Sequence, residues 1–236
     1  MKNLILFIAG ILLFYSSAKA QRITNFNTDA SKMRIYGKVK SITEYYSPDT
    51  YIIYTFNSNN KLLKAQMIGF HISVGGSHEF KYDDKGNMNE WKIYNTNGSL
   101  QIKVLYKLDL KGNRIEDEIY NRQGDLVAKN INSYDEKGNK IQTIGYQTEN
   151  LKMYKATKTT YTYDAKGNVI QENDDGGNVF NRKFDGKNNL IQERLNSAEA
   201  GADYSYTYDK FGNWIKVTMK FKSEDGGIIE RKITYY

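Results

Sequence analysis

From about residue 34 to the C-terminus the chain repeats one pattern of apolar, polar and turn positions. Before each turn, aromatic or apolar residues fall two apart: Phe80 and Tyr82, Tyr106 and Leu108, Tyr161 and Tyr163, and Tyr204, Tyr206 and Tyr208. Two residues beyond the turn's last glycine or asparagine come Asn89, Ile115, Ile141, Ile170, Ile191 and Ile215. Alternation with period two belongs to a strand, so the apolar and aromatic set is expected on one inward face. Stacked across neighbouring strands, such side chains form aromatic ladders.

Between strands stands a six-residue turn. It reads Tyr82-Asp83-Asp84-Lys85-Gly86-Asn87, returns 26 residues later as Leu108 to Asn113, and after another 26 as Tyr134 to Asn139. Further copies are Tyr163 to Asn168, Phe184 to Asn189 and Tyr208 to Asn213, with a degenerate one at Phe56 to Lys61. Weaker turns follow 12 residues after three of them, at Tyr94 to Gly98, Tyr120 to Gly124 and Tyr146 to Asn150. One unit therefore holds two turns and two strands.

A single steric rule accounts for the composition of these turns. The Asp or Asn that opens the turn accepts backbone N–H groups two residues on, and the residue three after it must adopt positive φ, which glycine tolerates freely and asparagine next best. That position reads Asn60, Gly86, Gly98, Gly112, Gly124, Gly138, Asn150, Gly167, Asn188 and Gly212, with no other residue type. The pattern predicts three-residue hairpin loops closed by a bulge. A turn every 12 to 14 residues predicts an all-β fold, an antiparallel meander of about 14 to 16 strands. So wide a twisted sheet is expected to coil into a curled or partly closed single sheet, with its terminal hairpins as caps and Ile228 to Tyr236 as a final strand.

Composition adds a compartment. Lys2, the apolar run Leu4 to Phe14 and the small-x-small Ala18-Lys19-Ala20 read as a secretory leader cut after Ala20, with residues 21–33 as an extension and 34–236 as the repeat domain. Eleven apolar residues are too few to span a bilayer, and no later run is longer, so no transmembrane segment is expected after cleavage. With no cysteine there is neither a disulfide framework nor a lipid-modified N-terminus, which suits a periplasmic or extracellular protein that is not a lipoprotein. The whole chain carries +7, and loss of Lys2 and Lys19 with the leader leaves +5, too little for a nucleic-acid binder.

The Tyr-Asp-x-x-Gly-Asn copies resemble the YD-repeat, or Rhs-repeat, family over about residues 56–220. That resemblance implies β-hairpin strips that spiral into shells, adhesive or toxin-enclosing roles, and carbohydrate binding. The chain has too few repeats to enclose a cargo domain and lacks the Asp-Pro-x-Gly type motif that ends the large shells; Pro48 stands far upstream with no glycine beside it.

Candidate chemistry is sparse. The two histidines, His71 and His78, are ordinary strand residues on this reading, and the acid pairs Asp83-Asp84, Asp174-Asp175 and Glu224-Asp225 sit in turns where backbone capping explains them. Neither catalysis, a cofactor nor a metal is expected. Lys85, Lys111, Lys137, Lys166 and Lys187 should line one rim. The aromatic ladders supply the candidate binding residues: Tyr82, Trp91, Tyr106, Tyr134, Tyr161, Tyr163, Tyr206, Tyr208 and Trp214. The expectation is a non-enzymatic envelope or secreted module that binds a glycan or an envelope protein, with a structural or delivery part in contact-dependent competition as the alternative.

Overall fold

The computed structural model describes residues 35–69, 76–149, 152–196, 201–221 and 226–236. The leader and extension, His71, Asn150 and Glu224-Asp225 lie outside the described residues.

Among the described residues sixteen antiparallel strands follow one another in sequence order. They are β1 (Val39–Ser47), β2 (Thr50–Phe56), β3 (Leu62–Ile68), β4 (Ser77–Tyr82), β5 (Met88–Tyr94), β6 (Leu100–Leu108), β7 (Arg114–Asn121) and β8 (Leu126–Tyr134). The second half comprises β9 (Lys140–Glu149), β10 (Lys152–Tyr163), β11 (Val169–Asp174), β12 (Val179–Phe184), β13 (Leu190–Leu195), β14 (Gly201–Tyr208), β15 (Trp214–Phe221) and β16 (Gly227–Tyr235).

The sheet closes. β1 pairs with β16, with Val39 opposite Tyr235, Ile42 opposite Ile233 and Glu44 opposite Arg231, so the strands form a closed barrel. This corrects the expectation of a curled or partly closed sheet capped by terminal hairpins: β16 is a strand, as expected, but it has a partner on either side. Closure removes both edges, and with them the rows of unpaired N–H and C=O groups that caps would have had to cover.

The seam has no turn to hold it, and side chains take that place. Asn213 donates to the Tyr36 carbonyl (2.9 Å) and to the Tyr235 hydroxyl (2.7 Å) while its own carbonyl accepts the Tyr36 amide (2.6 Å). Asn60 grips the same segment, accepting from the Val39 amide and donating to the Gly37 carbonyl. Further in, Arg231 donates to Glu44 at 2.8 Å, lies 3.3 Å over the Trp214 ring, and Tyr46 donates to Glu44 at 2.5 Å. Glu44 is only 3% exposed, and these donors stand where water would otherwise bond its oxygens.

Nine of the ten positions expected at positive φ have it, from Asn60 (58°) to Gly124 (89°); the tenth is Asn150. At Gly112 (84°) a side chain is excluded twice, because a Cβ would also stand 2.8 Å from Asn87 Oδ1 of the neighbouring turn. The asparagine that ends each turn has a role the pattern did not disclose. Its backbone N–H donates to one oxygen of the turn's aspartate and its side-chain amide to the other, as in Asn113 on Asp109 (both 2.8 Å), Asn139 on Asp135 (2.8 and 2.9 Å) and Asn168 on Asp164 (both 2.8 Å); at Asn213 the side-chain amide serves the seam and the Tyr235 hydroxyl donates to the second Asp209 oxygen instead.

Just past each turn the register slips by one residue. Leu108 faces Arg114 and Lys107 faces Glu116, which leaves Ile115 as an unpaired bulge, and the same happens at Ile141, Ile170, Ile191 and Ile215. These isoleucines are therefore not in the core: Ile115, Ile141 and Ile191 are exposed. The bulge shifts the phase, so that the residue before it points inward instead.

The inner wall has two characters. Across β1 to β6 and β14 to β16 it is apolar, and Val39, Ile42, Ile52, Leu62, Ala65, Val217, Met219 and Ile229 are all fully buried. From β7 to β13 it is polar and tyrosine-rich.

Two outcomes test this account. Arg231→Met strands a buried Glu44 and is expected to cost about 3–5 kcal/mol in urea unfolding, a loss that Glu44→Gln in the same background should partly restore. The carboxyls of Asp109, Asp135 and Asp164 are held below their ordinary 3.8 by the asparagine side-chain amide first and its backbone N–H second. A depressed carboxyl stabilises the fold above its unfolded value and loses that contribution as pH falls through the folded one. The urea midpoint should be flat above pH 5 and fall below pH 4 (about one unit above and at the ordinary carboxyl value); an unchanged midpoint at pH 3 would sink the turn-lock account.

Candidate functional site

The nine aromatic candidates all belong to the inward face, and their surroundings differ by sector. Among them the tyrosines tie repeat to repeat. Tyr82 donates to the Leu62 carbonyl (2.6 Å), Tyr134 to that of Arg114 (2.8 Å), Tyr163 to that of Lys140 (2.8 Å) and Tyr206 to that of Leu190 (2.8 Å). In every case the acceptor is the first strand residue after the preceding strong turn. Tyr208 instead accepts from Asn189 at 2.8 Å. Recurring tyrosine thus has a structural cause besides its apolar area: a buried carbonyl at the bulge needs a donor, and the phenol reaches it.

Trp91 and Trp214 stand in the apolar sector. Trp91 stacks between His78 and Phe80 and donates to His78 Nδ1 at 3.2 Å, while Trp214 lies beneath Arg231 and edge-on to Tyr206. Tyr106 and Tyr161 open onto the polar sector, each with a cation over its ring: Arg114 at 4.3 Å from Tyr106 and Lys140 at 4.9 Å from Tyr161. Burial raises the hydroxyl pKa of both, that of Tyr161 to about 12, so both are neutral phenols at physiological pH.

The strands bring together a set of inward polar groups that sequence reading did not single out. Arg114 and Asp117 are consecutive inward positions of β7, made so by the bulge at Ile115. On β8, Asn132 donates to the Arg114 carbonyl (2.9 Å) and accepts from Thr143 (2.8 Å). Farther round, Arg182 of β12 bridges Glu193 of β13 (2.7 Å) and Glu172 of β11 (3.0 Å). Arg182 and Glu193 are largely withdrawn from solvent, at 12% and 11% side-chain exposure, and Glu172 less so at 27%. Glu172, Arg182 and Glu193 keep period two with the aromatic positions and were open to that count, whereas the bulge at Ile115 sets Arg114 and Asp117 three apart and takes Arg114 out of it.

The outer wall carries the opposite pattern of charge. Ion pairs run between outward side chains of adjacent strands: Lys81 with Glu90 (3.1 Å), Lys107 with Glu116 (2.5 Å), Lys129 with Glu116 (2.9 Å), Arg194 with Asp203 (2.8 Å) and Lys216 with Glu230 (3.2 Å). At the strong-turn end, Lys85, Lys111, Lys137, Lys166 and Lys187 are exposed along one rim. Among the described residues no helix is long and apolar enough to cross a membrane, which leaves crossing by strands to be judged from this outer wall.

A porin-like protein from Bacteroides uniformis ATCC 8492 superposes on the chain with a TM-score of 0.56 at 14% identity, covering 84% of this chain and 98% of that one. The shared property is the fold. A second porin-like protein, from Bacteroides vulgatus ATCC 8482, aligns over 85% of this chain and 99% of its own at 12% identity and a TM-score of 0.48. A TcdB2-TccC3-Cdc42 crystal structure aligns over 78% of this chain at 17% identity and a TM-score of 0.36, and there the match spans only 10% of the other chain. No family model matches the sequence and no curated protein does. The likeness to YD repeats accordingly rests on the turn residues.

The polar sector makes a graded prediction. Arg182→Met leaves two inward carboxylates without their cation and should cost about 3 kcal/mol, whereas Tyr163→Phe removes one hydroxyl bond and should cost about 1 kcal/mol. Chemical denaturation of the two variants checks the order; equal costs would mean that the Arg182 group is solvated and not part of a withdrawn inner wall.

Proposed function

We propose that this chain is a non-enzymatic, exported envelope protein that works as a barrel in water and binds its partner, a glycan or an envelope protein, through the polar sector of its inner wall. The observation that carries this reading is the distribution of charge across the wall. A barrel that spans a bilayer presents an apolar band about 25 Å tall to lipid, and each Lys or Arg at the midplane of that band costs roughly 2–4 kcal/mol. Here the outward positions hold paired lysines, arginines and carboxylates on strand after strand, and the fully buried apolar side chains face in. The barrel is amphipathic in the sense opposite to a lipid-embedded one.

Inside, the two sectors divide the work. The apolar sector closes on itself with fully buried side chains and supplies the stability. In the polar sector Tyr134, Tyr161 and Tyr163, with Tyr106 of β6 at its border, alternate with amides and charged groups, the mixture of flat apolar faces and directed hydrogen bonds that sugar rings and polar peptides use. Many of the inward groups are committed to ion pairs, ring contacts and backbone carbonyls, roles that shape a surface.

The mature chain is expected to purify without detergent as a monodisperse species and to stay in the aqueous phase when a detergent solution is warmed to separation. Partition into the detergent phase would overturn the water-facing barrel. Envelope glycan arrays and pull-downs from envelope extract should then return a partner, and none at high micromolar concentration would overturn the binding role.

A further inference from the structure

Seven strands begin directly after a strong turn, and their first residues form one inward ring at that end of the barrel: Leu62, Met88, Arg114, Lys140, Val169, Leu190 and Trp214. Five are apolar. The two exceptions are cations, and they occupy successive repeats. Nothing in the architecture requires them, since the same position holds Met88 at 7% and Leu62 at 0% exposure in the preceding repeats.

Neither cation is spent on an ion pair among the described residues. Arg114 lies over Tyr106 and Lys140 over Tyr161, so each is held by a ring face and not by a carboxylate. Their strands are separated by β8, which puts the two backbones about 10 Å apart at the same height. Asp117 is the next inward position of β7 after Arg114, opposite Tyr106 and Asn130; its Oδ1 is buried with no hydrogen-bond donor among the described residues, while its Oδ2 meets only a long 3.5 Å contact from Asn130. Asn132, 7% exposed and bonded on both sides, and Tyr134, bonded to the Arg114 carbonyl, form a rigid floor. Burial, and after it the Arg114 charge, lowers the pKa of Lys140, the direction expected of two cations sharing a site without a full counter-charge.

Two donor cations beside a carboxylate that lacks a donor make an uneven request of a ligand: it must bring an anion for Arg114 and Lys140 and a hydroxyl for Asp117. A neutral sugar satisfies only the second and inorganic phosphate chiefly the first. We propose that the Arg114–Lys140–Asp117 cluster is the binding site for a carboxylated sugar, its carboxylate between the two cations and a ring hydroxyl donating to Asp117. The exposed rim lysines Lys111 and Lys137 belong to the turns that precede these two strands, and they place positive potential over the approach. This inference rests on the binding role proposed above and names the ligand class for its inner wall.

Calorimetric titration of the mature protein with glucuronate, glucose and inorganic phosphate tests it. Glucuronate is expected to bind at least tenfold more tightly than either control, the scale of one charge-assisted hydrogen bond gained. Arg114→Met and Lys140→Met each install the kind of side chain that Met88 shows the ring accepts, so both variants should keep the parent melting temperature and lose roughly tenfold or more in glucuronate affinity. Equal affinity for glucuronate and glucose in the parent protein would overturn the proposal without any variant, as would methionine variants that bind glucuronate unchanged. If glycan arrays return a neutral ligand while glucuronate fails, the ligand class falls and the binding role stands; if arrays and pull-downs are also empty, both fall.

Discussion

Register is the constraint from which everything else in this barrel follows. Side chains alternate at period two, so a slip of one residue would exchange inner and outer walls along a whole strand. What prevents the slip is the grip of one asparagine on one aspartate. Each strong turn fixes its length by clamping both aspartate oxygens, its direction by the positive-φ residue, and its phase by the bulge that follows. Because six such turns with that aspartate and asparagine stand at one end, the phase is set afresh every two strands and errors do not accumulate around the ring.

Much of this was legible in the chain, and the reason is locality. The turn rule is obeyed by residues within six positions of one another, so the positions of positive φ, the number of strands and their antiparallel order could all be read directly. Closure could not, because it depends on Val39 meeting Tyr235 and Glu44 meeting Arg231, partners nearly the whole chain apart that belong to no repeat. The inward phase after each turn was also misread. Ile115, Ile141 and Ile191 look like core residues by hydropathy, but each is the extra residue of a bulge, and the cation or aliphatic residue before it takes the inward place. That single displaced residue hid Arg114 and Lys140 from the list of candidates. The aromatic candidates were placed on one face as expected, although most of their hydroxyls serve the backbone of the neighbouring repeat.

The division of the inner wall also resolves a conflict between stability and binding. A barrel lined throughout with aliphatic residues would be firm and featureless, while one lined throughout with polar groups would lack the burial that offsets chain entropy. Here nine strands carry the apolar sector and seven the polar one. The groups that must stay withdrawn, such as Glu44 and Glu193, are each held by an arginine, so charge is confined to places where a partner already stands.

Each tyrosine tie reaches back a single repeat and no farther, and so does each strand pairing except the seam. The barrel is consequently modular in girth. An in-frame duplication of one unit supplies two strands with their own turn, clamp and tie, and the ring can absorb them by opening only at β1 and β16, where no peptide bond need be cut. Since the diameter of a barrel grows roughly in proportion to its strand number, unequal recombination between copies of the repeat would act on this gene as a coarse adjustment of bore. Substitution at the inward ring would then choose the chemistry of what fits, leaving ligand size and ligand charge open to evolve by separate mutational routes.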